Sequence, residues 1–333
     1  MIYTVFIGGY SQKLFRGEFD SITGALKLTE SLDIDSPSYV CTEGDVLYGV
    51  SETDTYKKNS GGLFSVSIKN NEMNLISFES TNGKHPCHLY MYDKYIFVSN
   101  YTEGTLSIFE KSKDGAIKPS CKSIAHYGSS INQQRQEKAH IHFASMSPCG
   151  RYLAVCDLGL DKVFLYPYTV EHGLSTDAKV IDCTPGSGPR HLVFSGDGKI
   201  IYVLAELTGA VMAYRDTGDA FQLMQEISIL PADFKCKNTA AAIHISPDKR
   251  FIAASNRGHD SIALCKIKAD KTLESPEFLM TGSEPRDFRY SPDGNWILSA
   301  NQNDDTVTVY NPEKLNETAY ETSVPAPTCI VFA

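Results

Sequence analysis

A unit of about 50 residues recurs along this chain, and it limits the possible folds more tightly than any other feature. In each unit a strand leads into a Ser-Pro-Asp-Gly-type turn. A second strand follows and ends in Asn, Asp or Glu, and a third and fourth strand come after it. The clearest turns are Ser147-Pro148-Cys149-Gly150, Ser195-Gly196-Asp197-Gly198, Ser246-Pro247-Asp248-Lys249 and Ser291-Pro292-Asp293-Gly294. Pro at the second position and Gly at the fourth suit a type I turn. The second strands are expected to end at Glu52, Asn100, Asp157, Glu206, Asn256 and Asn301, at intervals of 48, 57, 49, 50 and 45 residues. Four short strands per unit at this period predict an all-β propeller. The long interval contains residues 125 to 139, polar and rich in Gln and Ser, which read as a surface insertion.

Six hairpins follow from this spacing, and the chain ends supply a seventh. Pro327 to Phe332 reads as a first strand with nothing after it. Tyr3 to Gly9 reads as a second strand with nothing before it, followed by a third over Leu14 to Asp20 and a fourth over Ala25 to Ile34. Joined, they make one complete blade of four antiparallel strands, and the closure removes the open sheet edge of a circular array. With no linker or break in composition, residues 1–333 are expected to form a single seven-bladed domain. Helix should be scarce, with one helical turn expected over Ala232 to Asn238.

Composition narrows the function classes. Eighteen Tyr and sixteen Phe against one Trp favour strands. A net charge of −9 argues against nucleic acid and against an anionic membrane surface as partners. No apolar run is long enough to span a bilayer. The N-terminus reads directly as a strand, with no basic segment and apolar core of a signal peptide. Nine cysteines are scattered singly and no CxxC occurs, which predicts free thiols in the cytoplasm and no zinc site.

The polar groups converge. Two antiparallel strands joined by a tight turn bring the start of the first beside the end of the second. The hairpin from Pro189 to Glu206 therefore places Arg190, His191 and Glu206 together. In a propeller the first strand of each blade lines the central channel, so the argument applies to every blade. The starts of first strands contribute His85, His88, His140, His142, Arg190, His191, His244, Glu284 and Arg286. The ends of second strands contribute Glu52, Asn100, Tyr101, Asp157, Glu206, Asn256, Arg257, Asn301 and Gln302. Six of the nine histidines fall in this set. Convergent ionisable groups in a concave pocket mark a candidate site. Each also has a structural reading: an Arg190–Glu206 ion pair, a buried core His244, and Asp157, Asn256 and Asn301 as turn caps. No dinucleotide fingerprint, phosphate loop, HExxH or GxSxG is present.

Asn100-Tyr101 with Gly104-Thr105-Leu106, Asp157-Leu158-Gly159 with Asp161, Gly188-Pro189-Arg190-His191, Glu206-Leu207 and Ser255-Asn256-Arg257-Gly258 occur in this order across the chain. In this the sequence resembles the seven-bladed propeller lactonases, the family of the propeller-type bacterial 6-phosphogluconolactonases, whose relatives include fungal enzymes acting on carboxymuconate lactones. The resemblance implies a catalytic set of His142 (or His140), Arg190, Glu206 and Arg257. His140, His191, His244, Asn256, Asn100, Tyr101, Asp157 and Arg286 are candidates for substrate binding. The His-Pro-His usual in the family stands here as His140-Ile141-His142, so both histidines are carried forward.

The resemblance implies hydrolysis of 6-phosphogluconolactone in the pentose phosphate pathway, with an anionic small-molecule lactone as partner and no cofactor or metal. Glu206 or His142 is the candidate base for water. Arg190 and Arg257 are candidates to hold an oxyanion or a substrate anion. Three alternatives stand beside this: a propeller scaffold that binds without chemistry, an enzyme acting on another carboxylated lactone, and a lactonase with Ca²⁺ held by Glu206, Asn100, Asn256 and Asn301.

Overall fold

The computed structural model describes residues 1–57, 59–312, 314 and 317–333. Seven antiparallel sheets are arranged as the blades of a propeller. Blade one runs Tyr39–Glu43, Val46–Tyr56, Ser60–Ser67 and Asn74–Ser80. Blade two runs Pro86–Tyr92, Tyr95–Asn100, Thr105–Glu110 and Lys122–Ala125. Blade three runs Ile141–Met146, Tyr152–Asp157, Lys162–Thr169 and Lys179–Asp182, with an extra two-residue strand at Gly173–Leu174. Blade four runs Pro189–Phe194, Ile200–Ala205, Ala210–Asp216 and Phe221–Ser228. Blade five runs Thr239–Ile245, Phe251–Arg257, Ser261–Lys266 and Glu277–Met280. Blade six runs Pro285–Tyr290, Ile297–Asn301, Thr306–Tyr310 and Thr318–Ser323.

The closure blade joins the two ends of the chain. Pro327–Phe332 pairs antiparallel with Ile2–Gly9, which continues into Lys13–Asp20 and Ala25–Asp33. Val5 pairs with Phe332 and Ile7 with Ile330. The core lies between neighbouring blades. Ala154, Cys156, Val163 and Leu165 of blade three interdigitate with Leu192, Ile201, Val203 and Met212 of blade four, all buried. Every blade is thus apolar on both faces, which favours a closed ring in which each face has a partner.

The repeated turn has a side-chain lock. The Ser hydroxyl donates to the Asp two residues on at 2.5–2.6 Å in Ser195–Asp197, Ser246–Asp248 and Ser291–Asp293. The same hydroxyl accepts the backbone N–H five residues on, at 2.9–3.1 Å from Ile200, Phe251 and Trp296. In blade three Cys149 stands in the Asp position, and Ser147 Oγ lies 3.4 Å from its sulfur.

Residues 232–238 form a turn and bends rather than the helical turn expected there. Among the described residues the helix is a short 3₁₀ segment, Lys69–Asn71. No helix is long and apolar enough to cross a membrane.

Candidate active site

Two rings of residues, built by the ladder itself, face one end of the channel. The first comes from irregularities in the innermost strands. In six blades the pairing of the innermost strand slips near its start, leaving Thr328, Cys87, His142, Arg190, Ala241 with Ala242, and Arg286 as bulged residues. A bulge re-aims a side chain that regular alternation would send elsewhere. In four of these blades the bulged residue follows a proline: Pro86-Cys87, Pro189-Arg190, Pro285-Arg286 and Pro327-Thr328. Proline is tolerated where a strand begins because it has no N–H to donate. The residue before each proline is left-handed, with φ 50 at His85, 64 at Gly188, 58 at Glu284 and 40 at Ala326. Glycine suits this position in blade four for a second reason, since a Cβ on Gly188 would come 2.7 Å from Leu207.

The second ring comes from the end of each second strand: the residue just past it in five blades, the last strand residue Arg257 in blade five, and Glu52 within the longer strand of blade one. The expected strand ends are offset by one in two blades. Equivalent ladder positions are Ser51, Asn100, Asp157, Ala205, Asn256 and Asn301, paired to the first residue of the third strand's ladder. Glu52 and Glu206 come one residue later. With Gly9 as the counterpart in the closure blade, the ring is Tyr10, Glu52, Tyr101, Leu158, Glu206, Arg257 and Gln302. A recurring backbone bond marks the position: the N–H of Tyr10, Tyr101, Leu158, Glu206 and Gln302 each donates to the carbonyl of the residue just ahead of the inner strand, and that of Glu52 to Ser36 three residues ahead, at 2.8–3.1 Å.

The rings meet at Glu206, which is 3 % exposed. Its Oε2 lies 2.9 Å from Arg190 Nε and 3.3 Å from Arg257 Nη2. Its Oε1 accepts from Arg135 Nη2 at 2.6 Å. The Arg190 approach is an ion pair without a directed hydrogen bond, because that buried Nε–H has no acceptor in bonding geometry. Arg190 Nη1 instead donates to the Ala241 carbonyl and lies 3.2 Å from His191 Nε2. Arg257 Nη2 also donates to the Ala240 carbonyl at 3.0 Å. Burial alone pushes the Glu206 carboxyl up, but Arg257, Arg190 and Arg135 outweigh it and bring it down to about 2. Glu206 is therefore a carboxylate at any working pH. Burial lowers Arg257 to about 10, which leaves it a cation at neutral pH.

Arg286 makes the neighbouring group. Its Nη2 donates to Tyr10 Oη, its Nη1 lies 3.4 Å from Gln302 Oε1, and Tyr10 Oη donates to Glu52 Oε1 at 3.0 Å. The guanidinium also sits over the Tyr10 ring, 4.9 Å from its centre.

His142 is the bulged residue of blade three. Its ring lies 5.3 Å from that of His191 and 5.7 Å from that of Tyr101. Burial, together with Arg190 and Arg286, holds its pKa well below 6.5, so the imidazole is neutral. Its buried Nδ1 has no hydrogen-bond partner among the described residues. His140 occupies the rim instead. It stacks on Tyr101 at 4.4 Å, Nδ1 lies 3.0 Å from the Tyr101 carbonyl, and Nε2 lies 3.3 Å from Glu137.

The segment read as a surface insertion reaches into the site, and it brings a residue that sequence reasoning missed. His126 bridges Asp157 Oδ2 and Tyr166 Oη, each at 2.7 Å. Buried Gln136 donates to Asp161 Oδ1 at 2.8 Å and to the Leu158 carbonyl at 2.9 Å, and Ser130 donates to Asp161 Oδ2 at 2.6 Å. Asp161 also accepts the N–H of Gly186 and Gly188, ahead of Arg190. The loop is thereby tied to the Pro189 turn, and Arg135 extends from it to Glu206.

The remaining candidates fall into two other places. Asn100, Asp157 and Asn256 are wholly buried and bonded to their own blades and to the adjoining connections. Asn100 Nδ2 donates to Thr105 and Ser107, Asp157 Oδ1 accepts the N–H of His140 and Leu160, and Asn256 Nδ2 donates to the Ile229 carbonyl. Asn301 likewise donates to Thr306 and Thr308. These side chains hold turns, and they do not line the channel. The histidines are not gathered on one rim, because successive strand residues descend by about 3.3 Å each. His191 lies between the two channel ends, while His88 and His244 line the opposite mouth with Arg289 and Phe143. There His244 Nε2 lies 3.1 Å from Asp287 Oδ1. His85 sits in its turn, with Nδ1 2.9 Å from Thr102 Oγ1.

The Ca²⁺ arrangement does not fit. Glu206 is surrounded by guanidiniums that would repel the ion, and the asparagines it would need are buried and committed to other hydrogen bonds. Among the described residues no group of three or more His, Cys, Asp or Glu is positioned to hold a metal.

Comparison with known proteins gives the family. The chain is 31% identical to the 6-phosphogluconolactonase of Bacillus subtilis, over 99% of this chain and 98% of that protein. It is 30% identical to the 6-phosphogluconolactonase of Formosa agariphila, over 92% and 91%. The solved periplasmic gluconolactonase of Pseudomonas aeruginosa superposes with a TM-score of 0.93 at 31% identity, covering 100% of this chain and 99% of that one. The model of the family described as "Lactonase, 7-bladed beta-propeller" matches residues 4–332, so the chain belongs to the seven-bladed propeller lactonases, enzymes that hydrolyse lactones.

Proposed function

We propose that this lactonase opens 6-phospho-D-glucono-1,5-lactone to 6-phosphogluconate, in the oxidative pentose phosphate pathway. The observation that carries the reading is Glu206 held by Arg135, Arg190 and Arg257, with Tyr101 reached by Arg135 on one side and facing the neutral imidazole of His142 on the other. Opening a lactone with water requires a base for the water and positive charge for the oxyanion. His142 suits the first role as a neutral imidazole beside Tyr101 and His191. Arg190 and Arg257 suit the second. Glu206, at about 2, is too weak a base to take a proton from water at neutral pH. Its part in this reading is to aim the guanidiniums.

The step balances simply. Water oxygen adds to the carbonyl carbon while its proton passes to His142. The tetrahedral oxyanion collapses, the bond from that carbon to the ring oxygen breaks, and His142 returns the proton to the departing oxygen. Tyr101, His140 and Arg286 line the substrate's path, and His191 positions Arg190. The names of the B. subtilis and F. agariphila relatives support the phosphorylated substrate. The P. aeruginosa neighbour, a gluconolactonase, makes the unphosphorylated lactone the competitor. All nine cysteines are free thiols, which supports a cytoplasmic location.

The test is hydrolysis of freshly made 6-phosphogluconolactone beside glucono-1,5-lactone, each corrected for spontaneous opening and repeated with chelator. The reading expects a higher kcat/KM on the phosphorylated lactone, unchanged by chelator. Preference for the unphosphorylated lactone overturns the substrate, and hydrolysis of neither overturns the mechanism.

A further inference from the structure

Three guanidiniums surround one carboxylate at the mouth of this channel. Among the described residues, Glu206 is the carboxylate in ion-pair contact with Arg135, Arg190 and Arg257. The group carries two positive charges in excess. A lactone carbonyl is neutral and develops one negative charge when water adds. Positive charge is left over, and it matches an anion elsewhere on the substrate.

The three arginines differ in how they are held. Arg190 and Arg257 belong to blade strands, their side chains are 4 % and 9 % exposed, and both are bound to backbone carbonyls. Arg135 belongs to the inserted loop, and its side chain is 38 % exposed. Its Nη2 carries both of its side-chain contacts, to Glu206 Oε1 at 2.6 Å and to Tyr101 Oη at 3.4 Å. Its Nε and Nη1 have no hydrogen-bond partner among the described residues. A guanidinium presents its donors as a flat fork that fits two oxygens of one anion. Nη2 belongs to both two-donor edges of the fork, so with one of its N–H groups on Glu206 the edge it makes with Nη1 still offers two donors.

The loop backbone is built to hold that fork still. Asn132 Oδ1 accepts the N–H of Gln134 at 3.1 Å and of Arg135 at 3.2 Å, and the Gln136 N–H donates to the Asn132 carbonyl at 2.7 Å. Gln136 itself is fully buried against Asp161 and Leu158. A mobile surface loop has no need of these bonds.

We propose that Arg135 is the specificity residue for an anionic substituent on the lactone, a phosphoryl group, which its exposed Nη1 binds together with the second N–H of Nη2, while the other Nη2 N–H keeps its hold on Glu206. The inference rests on the lactonase reading and names the part of the site that reads the substrate's charge. Arg190 and Arg257 serve the reacting carbonyl, and Arg135 serves the far end of the same molecule.

The experiment compares the parent with Arg135→Ala and Arg135→Lys on 6-phosphogluconolactone and on glucono-1,5-lactone. Losing the contact to Glu206 lowers kcat/KM on both lactones. Losing the contact to the phosphoryl group lowers it further on the phosphorylated one alone. The expected result is a loss about tenfold to a hundredfold larger for the phosphorylated lactone, carried by KM, as for one charge-assisted contact to an anion. Lys restores part of the difference, since it keeps the charge and loses the fork. Inorganic phosphate should inhibit parental hydrolysis of glucono-1,5-lactone competitively, and Arg135→Ala should weaken that inhibition. Equal losses on both lactones, or undiminished inhibition by phosphate, overturn the proposal. A parent that prefers the unphosphorylated lactone defeats the substrate reading separately, and the phosphate arm still decides whether Arg135 forms an anion site. That arm needs only the parent and Arg135→Lys if the alanine variant does not fold.

Discussion

Arg190 Nε and Glu206 Oε2 lie 2.9 Å apart at the open end of one hairpin, and both side chains are almost fully buried. Each depends on the other for its charge balance. Removing one partner of a buried pair costs about 3–5 kcal/mol, because the other charge is left uncompensated. Glu206→Gln leaves three guanidiniums facing a neutral amide. The variant should melt several degrees below the parent, and its kcat should fall by about 10²-fold or more as the arginines lose their aim. Thermal unfolding beside a lactone assay checks both. Near-parental kcat in a destabilised variant would make Glu206 a purely structural counter-ion.

The pH profile follows from two depressed groups. Glu206 is held at about 2, and burial keeps His142 well below 6.5. Both are in their basic forms above those values, so activity is retained as pH falls through 6.5. On glucono-1,5-lactone, which has no phosphate of its own to titrate, kcat/KM should stay level from pH 8 to about pH 6. A limb centred near 6.5 would point to an imidazole of ordinary basicity instead.

Stability should respond to acid in two stages. His88, His142 and His191 are all lowered well below 6.5 by burial first and by neighbouring cations second. Below pH 6.5 the unfolded chain takes up protons that these buried rings refuse, and stability falls by at most about 1.4 kcal/mol per pH unit for each proton. The Glu206 contribution is present above its ordinary 4.5 and is lost as pH falls from there toward 2. Denaturant titrations at pH 7.5, 6 and 4 give the slopes. Constant stability between pH 7.5 and 5 would contradict the buried neutral histidines.

The two histidines of His140-Ile141-His142 should separate cleanly. His142→Gln should lower kcat by about 10²-fold. His140→Gln should act mainly on KM, because that ring stacks on Tyr101 and meets Glu137 at the rim. If the larger kcat loss falls on His140, the base assignment moves to the rim.

Deleting residues 327–333 removes the strand that pairs Phe332 with Val5 and Ile330 with Ile7. It leaves the edge of Ile2–Gly9 exposed and strips Ile330 from its apolar cluster. The truncated chain should aggregate or fail to accumulate as a monomer, as size-exclusion chromatography would reveal.

Much of this architecture is legible because its turns are. Ser-x-Asp-Gly carries its own hydrogen-bonding logic, so the hairpin that brings Arg190 to Glu206 can be read from the chain alone. The same reading takes Asn100, Asp157 and Asn256 for rim residues, and a single-residue offset explains why they are not. Adjacent strand residues face opposite ways, so the repeated Asn or Asp turns away from the channel while Tyr101, Glu206 and Arg257 face into it. Arg135 escapes notice because its loop has no counterpart in the other blades, and pattern cannot place a segment that never repeats. The bulges do have a signal, the proline ahead of Cys87, Arg190, Arg286 and Thr328, which only the ladder makes readable.

Those bulges bear on how such a protein changes. A bulged residue stands outside the pairing that holds its blade together, so its identity answers to its channel neighbours and not to the ladder. One blade presents Arg190, the next Ala241 and Ala242, the next Arg286, on nearly the same backbone. Exchanging one of them rewrites the channel without renegotiating the fold. New substrate preferences are therefore reachable by substitutions taken one blade at a time, provided that a change at Arg190 is matched at Glu206.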